Sequence, residues 1–355
     1  MDKIVNDLFW TTYKNRIPLY TIVELTYRCN LFCEHCYIPQ HYRTKTELPT
    51  EKVFQLIEEI SSLRGLYLTF TGGEPFLRKD IFELINYAKQ KNFYVTVFTN
   101  GTLIDKKIVK KLKSVNVDRI EISIYGNKDV HNRFVRCNVF DKVVESIKLL
   151  KKEDINVCLK TVLTKENFKD YEFLKNLAKS FGVVLKTDFV ISAKIDNDFS
   201  PIKLLLSDKE LKSLIKKENI NIASECQNFN NFVCSAGMNL VSVSSEGNVY
   251  PCVEFPYLLG NIFEDDFITI WQKNVSRFVK KFLDIENYKK CLSCEVNTYC
   301  RRCPALCFIE SSDIYGCSYV VKKVAKIFKS LFLKNNVGSR KLRDLSRKLR
   351  DRGTF

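Results

Sequence analysis

From Ile22 to about Ile191 the chain alternates between two hydrophobic periods. Short runs rich in β-branched and aromatic residues predict strands at 21–26, 66–70, 94–99, 119–124, 156–162 and 183–191. Between them, apolar residues recur at three-to-four spacing, which predicts helices at 51–63, 80–91, 105–113, 140–152 and 167–180. Six strand–helix units in series imply a parallel sheet with crossover connections. After 188 the pattern weakens into a loop, and Ser207 to Glu210 reads as a capping box that opens a helix ending near Lys217. Beyond Asn219 the periodicity gives way to scattered cysteines.

At 355 residues and 45% hydrophobic content the chain can bury a substantial core. No apolar run is long enough to span a bilayer, and the first twenty residues lack the pattern of a signal peptide. These features predict a cytoplasmic protein. In that reducing setting its fourteen cysteines are expected to hold metal more than to form disulfides. The net charge of +16 points to an anionic partner, yet much of it sits at one end. Residues 321–355 contain twelve Lys and Arg against Asp344 and Asp351. Val321, Val324, Phe328 and Leu331 lie at helical spacing there, as do Leu342, Leu345 and Leu349. This predicts a basic amphipathic tail, suited to packing on the body or to an acidic peptide or anionic surface.

The first strand leads into Cys29-Asn-Leu-Phe-Cys33-Glu-His-Cys36-Tyr37. Thiolates at C-x3-C-x2-C can turn towards one soft metal centre. Structural zinc wants four protein ligands, and His35, lying between Cys33 and Cys36, is placed to point away from them. Three thiolates on a cubane iron–sulfur cluster would leave one iron open.

This spacing resembles the cluster motif of the radical S-adenosylmethionine (radical SAM) superfamily. The resemblance implies a 4Fe-4S cluster whose open iron is chelated by the amino and carboxylate groups of S-adenosylmethionine. It also implies reductive cleavage to a 5′-deoxyadenosyl radical, with the electron coming from a donor such as flavodoxin or ferredoxin. The implied fold is α/β, a partial (β/α)6 barrel, with chemistry on the loops after the strands. Tyr37 matches the aromatic residue that follows the third cysteine. Gly72-Gly73-Glu74-Pro75, after the second strand, is similar to the superfamily's GGEP motif, which holds the SAM amino group. Asn100 follows the third strand. Ser123, in the fourth, resembles the residue placed near the SAM ribose and methionine. Where many relatives have Asp this chain has Tyr125. Arg136, at an H-x4-R spacing from His131, is the candidate for the SAM carboxylate because a guanidinium matches carboxylate geometry.

Nine further cysteines follow, at 226, 234, 252, 291, 294, 300, 303, 307 and 317. Their spacing resembles the SPASM extension, which carries auxiliary iron–sulfur clusters in radical SAM enzymes that mostly modify peptides and proteins. The resemblance assigns Cys226, Cys234, Cys252 and Cys303 to one 4Fe-4S cluster and Cys291, Cys294, Cys300 and Cys317 to another. Cys307 is left over, and Cys303 and Cys307 could exchange. A pair of zinc knuckles is the structural alternative.

These readings divide the chain into an extension (1–20), a radical SAM barrel (21–218), a SPASM domain (219–320) and a basic tail (321–355). The expected activity is hydrogen abstraction from a peptide or protein, maturing a ribosomally made precursor by thioether formation, carbon–carbon cross-linking, epimerisation or oxidation. Two rivals are a formylglycine-forming sulfatase maturase and a non-catalytic zinc scaffold with an anion-binding tail. Maturases commonly carry an acid directly after the cysteine of the G-x4-C element. Here Val253 stands at that place, and Glu254, one further on, is the candidate catalytic side chain.

Overall fold

The computed structural model describes residues 3–44, 47–220 and 234–335. One sheet organises all of it. Its nine strands run in the order β6-β5-β4-β3-β2-β1-β7-β8-β9. Strands β1 (Tyr20–Thr26), β2 (Tyr67–Gly72), β3 (Tyr94–Thr99), β4 (Arg119–Ser123), β5 (Val157–Val162) and β6 (Val184–Asp188) pair in parallel, each with its sequence neighbour. The barrel is therefore open and built in chain order, as the alternating periods predict.

Helices connect and flank these strands. They are α1 (Lys3–Lys14), α2 (Thr50–Ser62), α3 (Ile81–Gln90), α4 (Lys106–Ser114), α5 (Lys128–Val135), α6 (Phe140–Lys152), α7 (Tyr171–Phe181) and α8 (Asp208–Lys217). Val23, Phe70, Val97, Ile122 and Leu159 are fully buried in one core with the apolar residues of α2, α3, α4, α6 and α7. Strand side chains alternate in direction, so the intervening residues face the other way. That second face carries Glu24, Thr71, Thr96, Glu121 and Lys160. Parallel sheets covered on both faces read as continuous apolar runs. A polar inner face marks the side kept for a ligand.

Three differences from the expected elements have local causes. The sixth strand stops at Asp188 rather than running to Ile191. The Asp188 carboxylate accepts from the amides of Phe189 (2.6 Å) and Val190 (2.9 Å), which turns the chain out of the sheet. Helix α5 was not predicted, because its eight residues carry only one turn's worth of apolar pattern. Asn127 caps it by accepting from Asp129 and Val130. Helix α1 also went unread in the extension before the first strand. The capping box at Ser207 and Glu210 is present and opens α8.

The C-terminal region does not sit apart from the barrel. Strand β7 (Leu240–Val243) adds to β1 in parallel, from Tyr20 opposite Leu240 to Val23 opposite Val243. β8 (Asn248–Tyr250) and β9 (Gly260–Asn261) then continue the sheet antiparallel. A helical run follows, Phe267–Thr269 into a π turn, Ile270–Val275, and then Ser276–Phe282. Its buried Trp271 donates to the Arg16 carbonyl at the end of α1 (2.6 Å). The last described helix, Tyr319–Asn335, buries Ile327, Phe328 and Leu331 against Leu211, Leu214 and Ile215 of α8. The first half of the basic tail thus packs its apolar stripe on the body. Leu342, Leu345 and Leu349 lie outside the described residues. No described helix is long and apolar enough to cross a membrane.

Candidate active site

The cysteine loop leaves β1 at Thr26, whose hydroxyl accepts from the Arg28 amide (2.9 Å). Arg28 pairs with Glu47 at 2.6 Å and fixes the start of the loop. Its middle is stitched to the end of α5, where the amides of Phe32 and Glu34 donate to the carbonyls of Val135 (3.2 Å) and Phe134 (3.1 Å). Those carbonyls are available because Arg136, in the left-handed region at φ 56°, ends the helix there. Leu31, Tyr125, Phe134, Val135 and Val139 form a small apolar cluster against which Cys29 and Cys33 pack.

Cys29, Cys33 and Cys36 line one cavity of about 360 Å³. Burial pushes all three thiols up, and the charges of Cys36 and Cys29 add to this at Cys33. Without a metal they therefore stay protonated at neutral pH, and a cluster would displace those protons. His35 also lines this cavity. Its ring lies against Tyr125 and Phe134, with Nε2 3.4 Å from the Tyr125 hydroxyl, and burial lowers its pKa to about 4. Asn100 reaches from the end of β3 towards the Cys29 sulfur (3.9 Å) and donates to Asn30 (2.8 Å).

The paired glycines serve closeness of a kind the sequence did not reveal. A Cβ on Gly72 (φ 123°) would lie 2.1 Å from the Thr26 carbonyl oxygen, and one on Gly73 would lie 2.2 Å from that of Arg28. Their tightest approach is to the cysteine loop's own backbone, which receives hydrogen bonds from the amides of Gly73 (2.7 Å) and Glu74 (2.8 Å). Both glycines also line the cavity. Glu74 and Pro75 do not. The Glu74 carboxylate is fully buried and accepts from Thr99 Oγ1 (2.8 and 3.0 Å), the Asn100 amide (2.8 Å) and the Phe76 amide (3.2 Å). It ties the end of β3, and so Asn100, to the glycine turn. Burial raises its pKa to about 7.

Tyr37 and Ser123 line the cavity, and so does Glu254 from beyond β8. Arg136 does not: its side chain is 58% exposed and pairs at 3.9 Å with Glu34 on the outside. Arg136, expected to meet a ligand carboxylate, is the left-handed residue that ends α5. Sequence reasoning missed the cations that are in the wall, Arg43 and Lys160. Arg43 donates to the Cys29 carbonyl (3.3 Å) and lies over the Phe32 ring. Lys160 stands beside Ser123 in register, 3.5 Å from Glu121. The inward phase of β5 was the only sequence signal for Lys160. Tyr37 donates to the buried Glu24, which also accepts from Tyr27 (3.2 Å). Burial raises Glu24 to about 7 against those two hydrogen bonds.

The later cysteines fall into two groups. Cys234, Cys252 and Cys303 are neighbours in the interior, close enough to feel one another's charge, with Glu254 beside them. Cys226, assigned to the same cluster, lies outside the described residues. Cys291, Cys294 and Cys317 form the second group. Cys307, buried on the helix Pro304–Ser311, feels the charge of Cys317. The structure therefore separates Cys303 from Cys307. Cys300 ends the turn Asn297–Tyr299 between the two halves of the second group.

Among the described residues no three His, Cys, Asp or Glu side chains converge as one metal ion requires. Groups made chiefly of thiols suit iron–sulfur clusters better than single zinc ions.

Comparison with known proteins agrees with this chemistry. Residues 23–178 match the radical SAM superfamily, and residues 234–304 match SPASM, an iron–sulfur cluster-binding domain. The chain is 30% identical to an AdoMet-dependent heme synthase of Methanosarcina barkeri, over 82% of this chain and 92% of that one. It is 26% identical to the mycofactocin maturase MftC of Mycolicibacterium smegmatis, over 80% and 77%. The crystal structure of Streptococcus suis SuiB bound to its precursor peptide SuiA superposes with a TM-score of 0.69 at 18% identity, covering 89% of this chain and 78% of that one. These matches set aside the non-catalytic scaffold and imply a SAM-binding 4Fe-4S cluster with auxiliary iron–sulfur clusters. The chain is an enzyme of the radical SAM superfamily with a C-terminal SPASM domain.

Proposed function

We propose that this enzyme modifies a side chain of a peptide or protein, most simply a ribosomally made precursor. Bound at the cavity, a 4Fe-4S cluster and S-adenosylmethionine would supply the radical chemistry for hydrogen abstraction. The chain's own residues then have separate tasks. Cys29, Cys33 and Cys36 hold the cluster. Gly72, Gly73, Asn100, Ser123 and Tyr37 shape the S-adenosylmethionine site, with Glu74 behind them as a fastener. The small apolar cluster around Tyr125 and Phe134 keeps water from the cysteine loop. Glu254 reaches the cavity from the C-terminal side and can take a proton from an oxidised substrate.

The observation that carries the peptide reading is the free edge of the sheet. Strand β6 has no partner beyond it among the described strands, Val184 is 65% exposed, and the strand ends at Asp188 in the cavity wall. An extended peptide can pair with such an edge and deliver a side chain to the strand ends. The similarity to a maturase and to a precursor-binding fold supports it. The reducing partner would be a flavodoxin or ferredoxin. Lys322 and Lys326, which share a groove with Lys212, offer such an acidic protein a cationic face, while Lys323 pairs there with Asp208 at 3.5 Å.

A second reading follows from the higher identity to the heme synthase. A tetrapyrrole carboxylate would meet Lys160 in the cavity wall. One assay separates the two. Reconstituted enzyme is given S-adenosylmethionine and reductant with peptides encoded beside its gene, with a sulfatase-derived Cys or Ser peptide, or with an iron porphyrin. The expected result is a mass change in an encoded peptide, coupled to S-adenosylmethionine cleavage. A change in the porphyrin alone would reverse the order, and formylglycine would identify a maturase.

A further inference from the structure

The second group of late cysteines contains a cation that coordination does not require. Arg302 stands between Cys300 and Cys303, and its guanidinium is turned into the group. Nη1 donates to Cys291 Sγ at 2.6 Å. Nη2 donates to the carbonyls of Ile314 (3.0 Å) and Gly316 (2.8 Å), in the turn that leads to Cys317. The guanidinium carbon lies 4.2 Å from the centre of the Tyr288 ring. One planar fork thus ties the short helix Lys289–Leu292 to the Cys317 turn, a geometry that a lysine could not reproduce. Its charge also reaches Cys307.

The first group has different surroundings. Cys234, Cys252 and Cys303 are buried beside the Glu254 carboxyl group, which faces the cavity. One group therefore lies beside a buried carboxyl group and the other beside a cation held on a ligand sulfur.

We propose that Arg302 raises the reduction potential of the cluster at Cys291, Cys294 and Cys317, making it the electron acceptor of the auxiliary pair. Reduction adds one negative charge to a cluster. A guanidinium hydrogen-bonded to a ligand thiolate stabilises that reduced state. An electron passing between the two clusters then oxidises the inner one by one electron and reduces the outer one by one. Cys291 and Cys294 are partly exposed and Cys317 is exposed, so the accepting cluster lies where an external carrier can collect the electron. Arg302 is a positioning residue that acts through Cys291. The proposal rests on these cysteines being cluster ligands, which iron content tests separately.

The experiment is an anaerobic potentiometric titration followed by electron paramagnetic resonance, on wild type, Arg302→Gln and Arg302→Lys. Iron is measured on the same samples, and Cys29, Cys33 and Cys36 are replaced by Ala so that only the auxiliary signals remain. Fully loaded Arg302→Gln should move one auxiliary signal to lower potential and leave the other in place, with a smaller shift for Arg302→Lys. An Arg302→Gln variant that loses one cluster's iron, while Arg302→Lys keeps its iron and stays near the wild-type potential, would also support the role of charge. Unchanged potentials in a fully loaded Arg302→Gln would overturn the proposal. So would equal shifts in Gln and Lys, or loss of iron from both, which would leave Arg302 a fastener of the fold. Wild type without auxiliary iron would instead sink the ligand assignment itself.

Discussion

The barrel and the cysteine-rich region use one sheet but are held together differently. In the barrel, Val23, Phe70, Val97, Ile122 and Leu159 are buried in one core with apolar helix residues, and the pairing follows chain order. Beyond β9 the described elements include a three-residue helix, a π turn and the four-residue helix Lys289–Leu292. Short elements of this kind do not stabilise themselves, since helix formation has a costly nucleus. What gathers them is a set of aromatic contacts around Phe255, Tyr257 and Phe278, together with two groups of thiols. Apolar burial is common to both, since Phe267, Ile270, Trp271 and Phe278 belong to the same core as Val23 and Phe70, while the cysteine groups add candidate ligands only to the region that closes the cavity.

That contrast is most directly broken by removing ligands from one side at a time. Replacing Cys29, Cys33 and Cys36 with Ala should lower iron from about twelve to about eight per chain, for three four-iron clusters. S-adenosylmethionine cleavage should vanish while the thermal transition stays near that of the wild type. Replacing Cys291, Cys294 and Cys317 should instead open the C-terminal region to limited proteolysis. A triple loop variant that unfolds would erase the distinction.

A smaller effect sharpens the account of the barrel. Glu24 has its pKa raised to about 7 by burial. The folded state therefore holds a proton that the unfolded chain releases near the ordinary carboxylate value of 4.5. Stability falls as pH rises between those two values and levels off above about 7, for a total of roughly 3 kcal/mol from this group. In the metal-free protein, Glu24→Gln should reduce the stability difference between pH 5 and pH 7.5 in urea titrations, leaving the part that Glu74, also raised to about 7, contributes. An unchanged difference would mean that Glu24 is not among the buried acids responsible.

The smallest effect is expected outside the cavity. Arg136→Ala removes an exposed side chain from a 3.9 Å contact with Glu34, so stability should change by less than about 0.5 kcal/mol. Calorimetry should find S-adenosylmethionine affinity within about twofold of wild type, because a group outside the wall contributes at most about 0.4 kcal/mol. A tenfold loss would return Arg136 to the site.

Legibility in the sequence followed the same division. The barrel strands were readable because each combines β-branched residues with a helix of opposite period, and neighbouring units repeat the signal. The cysteine loop and the glycine turn were readable as local motifs. Helix α5 was too short to show a period, and β6 was overextended because the side chain of Asp188 ends it. Among charged residues the sequence pointed to Arg136 and passed over Arg43 and Lys160. Spacing along the chain says nothing of whether a side chain faces into the barrel or out.

The sequence by itself determined the alternation of strands and helices, the residue types able to hold iron–sulfur clusters, and the capping box at Ser207. Each depends on neighbours a few positions apart, where local propensity and donor chemistry act. Only the tertiary structure decided which glycine contacts matter, which cations enter the cavity, and how Cys303 and Cys307 divide between two groups. It also decided that β7 extends the barrel sheet and that Glu74 turns its carboxylate inward. Those outcomes depend on packing between segments up to a few hundred residues apart, which no local period encodes.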